Sequence, residues 1–265
     1  MKLPLPPLPP ALLPQPRKPG TGGRPARGEQ AAEGGRALVD WVDERTSLSG
    51  GVRSMLLHKV PKGTNWFYTL GSATMFAFLS QAVTGVFLAM FYRPDAAGGA
   101  YESARHITND VFLGQFVRGM HKWGSSVMVV LVFLHMGRTF LFGAYKYPRE
   151  LNWVIGVVLL ILTMVMSFTG YLLPFDQRSY WATIVGVNIN GTGPLVGPYL
   201  SDFLRAGPEF GATTLSRFYA IHMLLIPGAL AALIGAHLYL VAKLGTTAPP
   251  WQKAELEPKL REESA

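Results

Sequence analysis

Four stretches of the chain lose their polar residues for long enough to cross a lipid bilayer: roughly 66–92, 120–142, 153–173 and 218–241. A helix rises about 1.5 Å per residue, so about 20 apolar residues span a hydrocarbon core of about 30 Å. Aromatic residues border each stretch, among them Trp66, Tyr92, Trp153, Tyr171 and Tyr239, as expected at the headgroup level. The pattern predicts an all-α integral membrane protein, a four-helix bundle occupying residues 61–245. Residues 41–60 alternate charged and apolar positions up to Pro61, which predicts an amphipathic helix lying in the interface. Residues 1–40 are rich in Pro, Gly, Ala and Arg without apolar periodicity, the composition of a disordered tail, and the prolines after Met1 break any signal-peptide core. Residues 246–265 read as a polar C-terminal tail.

Composition sharpens this picture. Of 265 residues 49% are hydrophobic and only 15% charged, so the bulk of the chain belongs in lipid. The net charge of +8 sits beside the apolar runs, which fits a membrane surface and no nucleic acid. The chain has no cysteine, which excludes disulfides, thiolate metal sites and cysteine-linked cofactors.

Lys and Arg set the orientation. Arg45, Arg53, Lys59 and Lys62 precede the first span, Lys146 and Arg149 fill the second connection, and Lys243, Lys253, Lys259 and Arg261 follow the fourth span. By the positive-inside rule these segments, and so both termini, belong on the cytoplasm-like negative side of a bacterial cell membrane. The first and third connections, where Arg93, Arg105, Arg178 and Arg205 are offset by acidic residues, belong on the positive side. Spans two and four then run parallel.

Four of the six histidines lie in those two spans: His121 and His135, fourteen residues apart, and His222 and His237, fifteen apart. At 100° per residue these intervals are four turns less about 40° and four turns plus about 60°, so each pair stays on one broad helix face. Parallel spans put His121 level with His222 near the positive side and His135 level with His237 near the negative side, roughly 21 to 23 Å away. A single intramembrane histidine more often glues helices by hydrogen bonding. Four at two matched depths instead offer two bis-imidazole sites, which suit the fifth and sixth positions of two haem irons. Gly71 and Gly85 in span one and Gly156 and Gly170 in span three repeat the fourteen-residue interval at the same two levels, where a flat macrocycle needs close backbone. Arg118 and Arg138, one turn from His121 and His135, fit haem propionates, with Lys122 a weaker candidate. His58 and His106 have no matched partner and read as surface histidines.

These residues resemble cytochrome b of the quinol:cytochrome c reductase (cytochrome bc) complexes. The likeness rests on the four histidines, the four glycines, the string Gly170-Tyr171-Leu172-Leu173-Pro174-Phe175-Asp176-Gln177 with Tyr180-Trp181, and Tyr147-Pro148-Arg149-Glu150-Leu151. The unequal spacing and the end of the chain soon after span four resemble the short split form, cytochrome b-six. The resemblance implies two non-covalent b-type haems and a subunit that carries electrons across the membrane between quinol-oxidising and quinone-reducing sites, for a cytochrome c or plastocyanin-type acceptor. It also implies partners: a three-span subunit carrying the second half of cytochrome b, a Rieske iron–sulfur protein, a c-type cytochrome, and a dimeric complex. Tyr180 and Trp181 would line this subunit's share of the quinol pocket. Where the family tethers an additional haem to cysteine, this chain has Thr69, so no covalent haem is expected. After His237 the nearest cation in sequence is Lys243. Two rival readings are a dihaem membrane anchor of a dehydrogenase or hydrogenase and a haem-free transporter whose histidines relay protons.

Overall fold

The computed structural model describes residues 27–46 and 63–252. Within them every regular element is helical. Helix α1, Arg27–Thr46, forms a unit described by itself. It corrects two expected boundaries: the stretch 27–40 is helical where a disordered tail was expected, and the expected interfacial helix shares only residues 41–46 with it. The physical reason is composition, since Glu29, Gln30, Ala31, Ala32, Glu33, Ala37 and Leu38 are strong helix formers that outweigh Gly34 and Gly35. The rest of the expected interfacial segment, with His58, lies outside the described residues.

The four spans are Trp66–Ala89, Gly114–Leu141, Glu150–Leu172 and Ala212–Leu244. Span one opens with a 3₁₀ turn, Trp66–Thr69, capped by the Asn65 side chain, which accepts from the Phe67 amide at 3.2 Å, and continues as α2, Leu70–Ala89. Span two is one unbroken helix, α4, Gly114–Leu141, and span three is α5, Glu150–Leu172. Span four is compound: α8, Ala212–Ala220, a π-turn at Ile221–Leu225, and α9, Ile226–Leu244. Pro227 explains the break. It has no amide to donate and its ring crowds the carbonyl four residues back, so the helix widens and the Ile226 amide reaches back five residues to the Ile221 carbonyl.

Spans one and two pack along their length as one pair, and spans three and four as another. The outward faces are apolar: Phe76, Val83, Leu141 and Leu224 are each more than 70% exposed, as a lipid-facing surface requires. Three helices not expected from the sequence fill the connections: α3, Gly99–Asn109, between spans one and two, and α6, Gln177–Gly191, with α7, Gly197–Arg205, between spans three and four. They close one end of the bundle. Ala100, Val187 and Leu204 from these helices pack with Leu172, Leu215 and Phe218 into the larger buried cluster. At the other end the residues after α9 fold back: Tyr68 donates to the Thr247 carbonyl at 2.9 Å, and Arg149 donates to the carbonyls of Leu244 and Gly245 at 3.1 and 3.3 Å.

Candidate haem-binding site

A straight α-helix brings residues fourteen apart nearly to one side, and α4 holds His121 and His135 in that way. Span four reaches the same result with fifteen residues, because His222 sits in the π-turn, which absorbs one residue that a regular helix would turn through 100°. The structure brings the histidines together across the bundle in two pairs. His121 faces His222 with ring centroids 6.4 Å apart and planes at 78°, and His135 faces His237 with the same 6.4 Å and 78°. Spans two and four are therefore parallel.

Each histidine backs onto one of the four glycines. A Cβ built on Gly71 would lie 3.2 Å from His135 Cε1, on Gly85 3.2 Å from His121 Cε1, on Gly156 3.7 Å from His237 Cε1, and on Gly170 2.5 Å from His222 Cε1. Spans one and two are thus antiparallel, as are spans three and four. The glycines make room for the imidazole rings themselves, a use the sequence argument, framed around a flat macrocycle, did not include.

Side-chain partners fix the proton on one pair. Thr84 spends its hydroxyl proton on the Ser80 carbonyl, 2.7 Å away, and its oxygen lies 2.9 Å from His121 Nδ1, so it accepts from the ring N–H. Thr169 likewise donates to the Val165 carbonyl at 2.9 Å and stands 3.2 Å from His222 Nδ1, which also donates to the Met166 carbonyl at 3.1 Å. Both rings then carry the proton on Nδ1 and keep the Nε2 lone pair for a ligand. The second pair differs. Neither ring has a side-chain hydrogen-bond partner among the described residues: the His135 backbone carbonyl accepts from Thr139, and the backbone of Asn152 adjoins the buried His237 Nδ1. Thr84 and Thr169 were missed in the sequence, where the signal was the pair of Thr-Gly steps, Thr84-Gly85 and Thr169-Gly170.

The donor set fits haem. Two metal–nitrogen bonds of about 2 Å, with roughly 1 Å more from each nitrogen to its ring centre, would separate imidazole centroids by about 6 Å. Both pairs match that spacing. No group of three or more His, Cys, Asp or Glu capable of holding a bare metal ion occurs among the described residues.

The remaining expected residues fall around this frame. Arg118 donates to Thr108 at 2.5 Å and lines a cavity of about 250 Å³ with Arg105, Pro174 and Asp176. Arg138 stacks over Tyr68, its guanidinium carbon 4.0 Å from the ring centre, and its Nε is buried without a partner. Lys122 is exposed, and exposed His106 pairs with Asp110 at 2.9 Å. Asp176 caps α6 by accepting from the Ser179 amide, which sets Tyr180 and Trp181 near the start of the helix. Tyr180 donates to the Phe210 carbonyl at 3.2 Å, and Trp181 is 58% exposed with its indole N–H on Gln177. Beside these helices, burial pushes the Tyr92 hydroxyl far above the usual phenol range, so it stays a donor, to the Leu173 carbonyl at 2.6 Å. At the opposite end Lys243 leans on Tyr239, while Arg149, distant in sequence, is the cation that grips the end of α9.

A family model described as cytochrome b/b6/petB matches residues 55–245. The chain is 43% identical over 220 residues to the menaquinol:cytochrome c reductase cytochrome b subunit of Geobacillus thermodenitrificans, an alignment covering 80% of this chain and 98% of that one. It is 41% identical over 213 residues to cytochrome b6 of Heliobacterium modesticaldum, covering 80% and 100%. Among solved structures it resembles a chain of a hyperthermophilic respiratory complex III, with a TM-score of 0.72 and 33% identity over 80% of this chain and 56% of that one.

Proposed function

The chain belongs to the cytochrome b/b6 family, and from that premise we propose that it is the dihaem cytochrome b subunit of a quinol:cytochrome c oxidoreductase, an integral membrane protein that carries electrons between quinol-oxidising and quinone-reducing sites. The observation that carries the proposal is the pair of facing imidazoles at 6.4 Å, repeated at two depths. His121 and His222 hold one non-covalent b-type haem and His135 and His237 the other. Haem held in this way supplies one-electron chemistry at an iron closed to small ligands.

The chain's own residues hold, orient and shield. Gly71, Gly85, Gly156 and Gly170 let the rings seat against the outer spans. Arg118 and Arg138 place charge-assisted donors near the ends of the two sites for the propionates, and the unpartnered Nε of Arg138 supports that role. Tyr180 and Trp181 line this subunit's part of the quinol pocket at the end closed by α3, α6 and α7. That end faces the positive side, and both termini face the negative side of a bacterial cell membrane. A three-span subunit, a Rieske iron–sulfur protein and a c-type cytochrome complete a dimeric complex.

The test is a reduced-minus-oxidised spectrum with pyridine-haemochrome quantification on the purified complex and its His121→Ala and His237→Ala variants. Two b-type haems per chain are expected, none of them covalent, with one lost in each variant. A complex in which either variant kept two low-spin haems would overturn the pairing.

A further inference from the structure

The two levels share their histidine pairing and their glycine backing, yet they differ in what holds the imidazole Nδ1. At the His121/His222 level both rings donate to a threonine hydroxyl, and His222 donates to a backbone carbonyl as well. At the His135/His237 level the corresponding positions, one residue before the glycines, are Leu70 and Ile155, which have no hydroxyl. Nδ1 of His237 is buried against the backbone of Asn152 and has no side-chain acceptor. Arg118 lies one turn from His121 and Arg138 one turn from His135.

We propose that Thr84 and Thr169 are positioning residues that lower the reduction potential of the haem at the His121/His222 level. An acceptor on Nδ1–H draws the proton outward and raises the electron density that Nε2 donates. A more basic ligand stabilises the ferric over the ferrous state, which lowers the potential of that iron. Each ring also has a backbone acceptor, Gln81 at His121 and Met166 at His222, so each threonine is a second acceptor for its ring N–H.

The inference rests on the dihaem reading, and its test is a potentiometric titration of the two b-haems in the purified complex. Thr84→Val removes the hydroxyl with little change of shape. It should raise the lower of the two midpoint potentials and leave the higher unmoved, shrinking the equilibrium constant between the haems at least tenfold, about 59 mV for one electron. Thr169→Val should act in the same direction, and Thr84→Ser should restore the original value. Ile155→Thr offers His237 Nδ1 a hydroxyl acceptor and should lower the higher potential. Two bound haems with unmoved potentials in Thr84→Val, or an unmoved upper potential in Ile155→Thr, would overturn the proposal. Absence of haem from the unmodified complex would instead overturn the dihaem reading.

Discussion

Spans two and four do the same work with different helices. Span two is a continuous α-helix that places its histidines fourteen residues apart, and both rings seat equally on span one, each with its Cε1 3.2 Å from a Cβ built on the facing glycine. Span four takes fifteen residues, widens into a π-turn at His222, and seats its rings unequally on span three: 2.5 Å at Gly170 against 3.7 Å at Gly156. Yet the two pairs end with identical ring separations and angles. What the bundle holds constant is the position of each imidazole, not the count of residues between them. The extra residue is taken up where Pro227 already weakens the helix.

The sharpest way to break this comparison is to change the count in each span. Deleting Val130, between His121 and His135, turns everything after it by about 100° and shortens the rise by about 1.5 Å. It should abolish haem at the His135/His237 level and leave at most one b-haem per chain by pyridine haemochrome. In span four, deleting the exposed Leu225 together with Pro227→Ala converts the π-turn to regular helix and the interval to fourteen, and both haems should remain. Loss of a haem in this second variant would show that the π-turn has a use beyond absorbing a residue.

A smaller effect distinguishes the glycines. A methyl group at Gly170 must displace His222, which is itself held between Thr169 and the Met166 carbonyl, so Gly170→Ala should lose most of the haem at that level. Gly71→Ala and Gly85→Ala press their rings by only a few tenths of an ångström and should keep haem with shifted low-spin electron paramagnetic resonance signals. Gly156→Ala meets His237 at ordinary van der Waals distance and should leave both haems intact. Equal occupancy in all four variants would mean that the unequal seating has no energetic content.

Much of this arrangement was legible in the sequence because it is periodic. Four apolar runs, two histidine intervals and two glycine intervals can be laid on ideal helices without tertiary information, and the pairing of each glycine with its histidine follows from antiparallel neighbours. The π-turn was not legible by the same arithmetic, although the fifteenth residue and Pro227 were its signals. Helices α3, α6 and α7 were hidden because the connections were weighed for charge, and their order comes from packing Ala100, Val187 and Leu204 onto the span ends. Thr84 and Thr169 were hidden for another reason. A hydroxyl in an apolar helix commonly bonds its own backbone, as both of these do, and only the fold shows that their lone pairs also meet a ring from another span.

The smallest expected effect concerns how the two spans finish. Both spans close on their own backbone, the Phe142 amide reaching the Arg138 carbonyl at 3.0 Å and the Gly245 amide the Val241 carbonyl at 2.9 Å, but span four is also held from outside by Arg149 on the Leu244 and Gly245 carbonyls. Those carbonyls are among the last of a helix and have no partner further along the chain. Arg149→Ala should therefore cost about 1.5 to 3 kcal/mol of stability and lower the thermal midpoint of the purified complex by a few degrees, with the haem spectra unchanged. Arg149→Lys keeps the charge but not the planar fork, and should recover part of the loss. If Arg149→Ala also altered the His135/His237 haem, the end of span four would be coupled to its histidine through α9, and the tie would belong to the site as well as to the fold.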